Sequence, residues 1–148
     1  MTATPSPSPR PRIVDVAFWV LLAGAVMLIL GGLLATTVTF DAARRAITSS
    51  VDDDRVRTYL VVYRGMGVGA ILAGGALAFL GGRARRGDPR YRRALLALAL
   101  ATVAVLGVIA VLAGVAQAVV LLALVPILVS VVLWTRPAAG AWYHERAR

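Results

Sequence analysis

The sequence predicts an all-α integral membrane protein, a four-helix bundle with both the N and C termini in the cytoplasm. Hydrophobic residues make up 59% of the 148-residue chain, which is well above the apolar share of soluble domains. Most of them fall in long runs, and a bilayer core requires about 20 helical residues. The 16 basic residues, all of them arginine, gather between these runs. Such a charge distribution is typical of membrane proteins.

The first predicted span covers residues 13–37 and follows a proline-rich tail, residues 1–12. The tail has nothing to bury, so we expect it to be disordered. The span exceeds the apolar part of a signal peptide and lacks a small-residue cleavage site, so we expect it to be retained. Asp15 lies near its start. This position favours the interpretation of Asp15 as an interfacial acid paired with Arg10 or Arg12 over its interpretation as a proton relay in mid-membrane.

Residues 41–58 are predicted to form a polar loop of zero net charge. Its run SSVDDD, residues 49–54, fits a serine N-cap followed by an acidic first turn of the next helix. A divalent cation site is the alternative, but three successive acids on a helix point in different directions. Asp53 and Arg57 are four residues apart and are expected to pair.

The second predicted span covers residues 59–82, and Arg64 is placed at the headgroup boundary, where arginine side chains can reach the interface. Residues 94–133 are then free of charge over forty positions, twice what one span needs. We therefore predict helices at 94–113 and 118–135, joined by a tight hairpin at the helix-breaking Gly114. Residues 136–148 are predicted to be a cytoplasmic, interfacial tail.

The loop RARRGDPRYRR, residues 83–93, sets the predicted orientation, because short arginine-rich loops stay in the cytoplasm. Its arginines are also expected to contact anionic lipid headgroups. We do not expect nucleic acid as a partner, since eleven residues between two membrane helices cannot form a DNA-binding module. The six arginines are Arg83, Arg85, Arg86, Arg90, Arg92 and Arg93.

Small residues recur every four positions on the second predicted helix, in two neighbouring stripes. Such stripes let helix backbones approach closely, which drives association in lipid. They favour either packing inside the four-helix unit or a face for a second copy or a larger membrane partner. The candidate packing residues are Gly65, Gly69, Ala70, Gly74, Ala78 and Gly82, with Ala73 completing the first stripe.

Catalytic and cofactor sites find little support in the sequence. The chain has no cysteine and one histidine, His144, which lies in the C-terminal tail. We identify no nucleophile set, metal-ligand spacing or phosphate-binding glycine loop. The polar residues deep in the predicted apolar runs are Thr102, Gln117 and Ser130, and Gln117 is expected at the outer turn between the last two helices. The expectation is a protein without enzymatic activity, metal or cofactor.

The order of features resembles a set of small, uncharacterised actinobacterial membrane proteins. The similar stretches are VDVAFWVLLAGAV at residues 14–26, the basic loop at 83–93 and RPAAGAWYHER at 136–146. This chain has Asp88-Pro89-Arg90-Tyr91-Arg92-Arg93 where the set often has a Gly-Arg-x-Trp-Ala-Arg-like segment. The resemblance implies four helices in the plasma membrane and no particular reaction.

Together these features favour a non-enzymatic accessory or scaffold subunit that packs through small-residue helix faces. The alternative is a small transporter or lipid-handling protein that forms its pathway between protomers. Ion-coupled transporters usually carry ionisable or polar groups inside their spans. The near absence of such groups here favours the accessory subunit.

Overall fold

The structure, a computed structural model, describes residues 11–112 and 118–146. The elements of this part are six α-helices: α1 (Arg12–Thr37), α2 (Phe40–Ala46), α3 (Asp53–Ala84), α4 (Pro89–Leu112), α5 (Ala118–Thr135) and α6 (Pro137–Arg146). Four of them, α1, α3, α4 and α5, are long and apolar enough to cross a membrane. The all-helical fold with four candidate spans is confirmed. The predicted disordered tail was residues 1–12, but Arg12 is the first residue of α1 and Pro11 its N-cap. Residues 1–10 and the predicted hairpin at 113–117 lie outside the described residues.

Helix α1 lies between α3 and α5 and packs against both. Helix α4 contacts α3 and α5 on the other side and completes the bundle. Apolar side chains from all four spans form one core, to which α6 also contributes. One end of the bundle is covered by α2, and we call it the α2 end. The opposite end, which holds the start of α1 and the 83–93 loop, is the α6 end.

Helix α3 is longer than predicted, since it begins at Asp53 rather than at residue 59 and runs for 32 residues. At 1.5 Å per residue this is about 48 Å, compared with about 30 Å of hydrocarbon. Helix α3 is therefore longer than one membrane crossing requires. In its first turns Val56 and Leu60 pack with Ala43 of α2 in a second small cluster.

The start of α3 also differs from the predicted serine cap. Its N-cap residue is Asp52, which makes no side-chain capping hydrogen bond, and Asp53 and Asp54 occupy the first turn. Asp53 pairs with Arg44 of α2 over 3.3 Å rather than with Arg57, as the sequence analysis expected. Docking of α2 on α3 gives Asp53 this partner. The acidic turn therefore ties α2 to α3.

Helix α4 begins at Pro89, five residues before the predicted start. Proline is favoured at the first helical position because its ring fixes a helical φ and it has no N–H to satisfy. The Asp88 carboxylate accepts a 2.9 Å hydrogen bond from the Arg90 main-chain N–H, as a capping residue does. Gly87 has φ 95° and makes the turn between α3 and α4. The arginine-rich segment is therefore largely helical.

Candidate functional site

The predicted small-residue stripes divide between two faces of α3. Ala70 and Gly74 lie against α1, and a Cβ built on Gly74 would come within 2.8 Å of the Ala25 carbonyl oxygen. Ala78 is partly buried at the edge of the core. In contrast, a Cβ on Gly65, Gly69 or Gly82 would have no neighbour within 4 Å. These three glycines are therefore not needed for packing inside the protomer.

The glycines that bring helices closest together are ones that the sequence analysis did not select. Gly67 faces Gly32 of α1, main chain against main chain. On α1, Gly24 and Gly31 face α5, where an added Cβ would lie 2.8 Å from Ile127 Cγ1 and 2.9 Å from Val120 Cγ2, respectively. The seven-residue spacing of Gly24 and Gly31 was the available signal, because it keeps both on one face of a helix.

Gly65 and Gly69 line an apolar groove of about 480 Å³ between α3 and α4. Buried Met66 and Leu106 form its floor. Its walls are formed by Val62, Gly65, Gly69 and Ala73 on α3 and by Leu98, Ala101, Thr102, Val105 and Ile109 on α4. These helices are both long and apolar enough to cross a membrane. We call it the α3–α4 groove.

Thr102 brings a polar group to this apolar groove. Its side chain is 7% exposed, and its hydroxyl makes no hydrogen bond within the described part of the chain. Other helical hydroxyls do pair, for example Thr58 with the Asp54 carbonyl oxygen over 2.9 Å and Ser130 with that of Ala17 over 2.8 Å. A hydroxyl in lipid gains from a partner across a helix interface. Thr102 is positioned to use one.

The six arginines that were predicted to contact lipid headgroups fall into two groups, and two of them make hydrogen bonds to other helices of the bundle. Arg85 donates from Nε to Asp15 over 2.7 Å, with its guanidinium 4.9 Å from the Phe18 ring centre. Arg92 donates from Nη2 to the Trp134 carbonyl oxygen over 2.8 Å. For Asp15 the structure thus supplies a partner seventy residues away, which the sequence analysis did not consider.

The remaining four arginines of the loop lie on its surface. Arg83 stands 5.4 Å from the ring centre of Phe79 and 5.7 Å from that of Tyr91, so its charge lies close to two aromatic rings. Arg86, Arg90 and Arg93 are exposed, and Arg86 has a further interaction within the protein. Exposed guanidinium groups beside aromatic rings suit the membrane interface.

Helix α6 closes the end of the bundle that carries these arginines. Its residues were predicted to form an interfacial tail, but Ala139, Trp142 and Tyr143 are buried. The Tyr143 hydroxyl donates to the Ala84 carbonyl oxygen over 2.6 Å, at the last residue of α3. Arg92 lies 5.3 Å from the Tyr143 ring centre. The aromatic residues of this segment therefore belong to the core.

No protein-family model matches the chain, and the searches of curated proteins and of solved structures return no match. Among the side chains that the structure describes, no group of three or more from histidine or acidic residues is placed to hold a metal ion. The side chain of His144 lies outside the described residues.

Proposed function

We propose that the protein is a non-enzymatic accessory or scaffold subunit of the bacterial plasma membrane, which binds a transmembrane helix in the α3–α4 groove. The observation that carries this proposal is Thr102, a residue that is only 7% exposed and lines the apolar groove, and whose hydroxyl makes no hydrogen bond within the described part of the chain. The partner helix comes from a second copy of the chain or from a larger membrane protein. It supplies a hydrogen-bond acceptor for Thr102 and covers Gly65 and Gly69.

The small residues of the groove support a helix as its ligand. Lipid chains are as apolar as the groove, so hydrophobicity alone does not favour a protein partner over lipid. Close van der Waals packing does, and it requires residues that let two backbones approach. Gly65, Gly69 and Ala73 follow one another at intervals of four along the same wall. Side-chain packing inside the protomer does not use the two glycines.

In the proposed orientation the α6 end faces the cytoplasm, so both termini lie inside the cell. Eleven of the sixteen arginines flank this end and five flank the α2 end. The residues between α4 and α5 contain no arginine. Arginine-rich short segments resist translocation, whereas acidic residues influence orientation little. Anionic headgroups of the cytoplasmic leaflet then meet the exposed arginines of the loop.

The test is purification of the full chain from native membranes in mild detergent, with the mass of each complex and its components measured. We expect wild-type protein to carry a second copy or a larger partner. Gly69→Ile should release it because the new side chain fills the groove, and Thr102→Val should weaken it. Gly75→Ile is the matched control, since Gly75 is also open on α3 but lies outside the groove.

Two results would contradict the proposal. The first is recovery of wild-type protein as a lone monomer under conditions that preserve other membrane complexes. The second is equal loss of partners in Gly69→Ile and Gly75→Ile, because this would show a general effect of isoleucine on α3 rather than occupation of the groove.

A further inference from the structure

A second pocket lies at the α2 end and combines charge with apolar surface. It has a volume of about 360 Å³ and is lined by Phe40, Arg57, Leu60, Val61 and Arg64. Phe40 begins α2, while the other four residues belong to the first turns of α3. The pocket therefore depends on the docking of α2 against this part of α3.

Protein contacts hold both arginines of this pocket in place. Arg64 donates from Nη2 over 2.6 Å and from Nε over 3.2 Å to the carbonyl oxygen of Val38, just past the end of α1. Arg57 has its guanidinium carbon 5.8 Å from the Phe40 ring centre. These contacts fix the side chains without neutralising them. The pocket is thus built around two positioned cations.

Neither cation has a carboxylate partner within the described part of the chain. Arg44 and Arg85, in contrast, pair with Asp53 and Asp15, respectively. Asp53 lies one turn before Arg57 on α3, yet its ion pair is with Arg44. Guanidinium groups bind phosphate through charge-assisted and often bidentate hydrogen bonds. The two arginines are therefore suited to an anionic ligand.

The position of the pocket along α3 indicates what carries the negative charge. Arg64 directly precedes the eighteen uncharged residues 65–82, which span about 27 Å as a helix. It therefore lies at the hydrocarbon boundary, and Arg57 lies two turns, about 10 Å, further out in the headgroup layer. This is the depth at which a phospholipid presents its phosphate.

Below the arginines, α3 presents an apolar stripe to the membrane. Val61 is 71% exposed, and Val68 and Leu72 on the same side are 49% and 68% exposed. The positions 57, 61, 64, 68 and 72 are separated by three or four residues, so they share one face of the helix. The cationic pocket thus continues into a surface for an acyl chain.

We propose that this pocket binds one anionic phospholipid of the leaflet beside α2, with its phosphate between Arg57 and Arg64 and an acyl chain along Val61, Val68 and Leu72. The positive charge complements the phosphate, and the stripe accounts for a lipid rather than a free phosphate ion. The site is distinct from the α3–α4 groove and does not depend on the function proposed for it.

The absence of native cysteine allows a single probe beside the site. Gly75 follows Leu72 by three residues on the same face of α3 and is open there. Gly75→Cys, labelled with a small fluorophore, is reconstituted in phosphatidylcholine vesicles in which one lipid in ten carries a brominated, quenching acyl chain. The brominated lipid is either phosphatidylglycerol or phosphatidylcholine. We expect brominated phosphatidylglycerol to quench more, with a relative association constant higher by roughly ten-fold.

Substitutions test whether the pocket causes this preference. Arg57→Gln should reduce it while leaving the hydrogen bonds of Arg64 to Val38 intact, and the double substitution Arg57→Gln/Arg64→Gln should abolish it. Circular dichroism of the same samples monitors folding. Arg64→Lys, which keeps the charge, should retain part of the preference. Arg55→Gln is the matched control, because this exposed arginine of α3 is not part of the pocket.

Three outcomes would overturn the proposal. Equal quenching by the two brominated lipids in the parent protein would show that no anionic lipid is selected. An equal loss of preference in Arg55→Gln would assign the effect to net charge. Loss of the preference when millimolar inorganic phosphate is added would show that the arginines bind a free phosphate ion more strongly than the lipid headgroup.

Discussion

Gly32 and Gly67 bring the main chains of α1 and α3 into direct contact. A Cβ built on Gly32 would lie 2.5 Å from the Gly67 carbonyl oxygen, and one on Gly67 would lie 2.7 Å from that of Gly32. Neither distance is compatible with a side chain, so even alanine would push the helices apart. Since close packing is a main source of helix association in lipid, this contact is central to the fold.

Gly67→Ala is therefore expected to destabilise the protein by about 1–3 kcal/mol, the usual cost of an extra carbon in a packed interior. Equilibrium unfolding in mixed detergent and dodecyl sulfate micelles measures this free energy. Gly75→Ala is the control on the same helix, because a Cβ there meets nothing within 4 Å. Equal stability of the two variants would show that α1 and α3 do not touch at Gly67.

Tyr143→Phe should destabilise the α6 end by about 1 kcal/mol, the typical net value of one hydrogen bond. The Ala84 carbonyl oxygen would still accept from the Gly87 N–H over 2.9 Å, which limits the loss. Tryptophan fluorescence is a suitable probe, since Trp134 and Trp142 both lie against the Tyr143 ring. Tyr91→Phe serves as the control. An unchanged midpoint for Tyr143→Phe would argue that α6 is undocked.

Asp15 and Arg85 should show a coupling free energy of about 0.5–1 kcal/mol in a double-mutant cycle of Asp15→Asn and Arg85→Gln. The value is modest because both side chains are about a third exposed, at 37% and 32%, respectively. Unfolding free energies of the two single variants and the double variant in micelles give the coupling. Strictly additive effects would indicate that the two groups do not interact in solution.

Reporter fusions test the proposed orientation. A fluorescent protein that matures only in the cytoplasm should be bright when inserted after Gly87 and dark when inserted after Ser49. Alkaline phosphatase, which is active only outside the cytoplasm, should give the opposite pattern. The expectation rests on the arginine excess at the α6 end. Phosphatase activity at Gly87 would indicate the opposite topology, with the exposed arginines of the loop outside the cell.

The sequence was sufficient to predict the four spans, because each apolar run is close to the length that a bilayer requires. It was not sufficient for α2 and α6, which are short and rich in charged or small residues. The start of α3 was also missed. The hydropathy of the sequence is low before Tyr59, so the apolar run indicated a start there. The main-chain hydrogen bonds of a helix do not depend on hydropathy, and α3 therefore begins earlier, at Asp53.

The candidate sites were predictable by residue type but not by partner. Glycine spacing on α3 indicated close packing, yet which stripe meets α1 depends on how the helices are rotated, and Gly67 was overlooked. Similarly, the arginine loop was recognised as a basic segment. Arg85 pairs with Asp15, seventy residues earlier, because α1 and α3 are antiparallel. No local pattern in the sequence indicates this pair.

The contacts of Arg85 with Asp15 and of Arg64 with Val38 lie at opposite ends of the α1–α3 pair. Between them the two helices meet through glycine, alanine and aliphatic side chains, and a slip of one helical turn, about 5.4 Å, would move Gly32 away from Gly67. Such a slip would separate both arginines from their acceptors at once. The two polar contacts therefore select the same longitudinal register as the Gly32–Gly67 contact, while the apolar surface between them supplies the attraction.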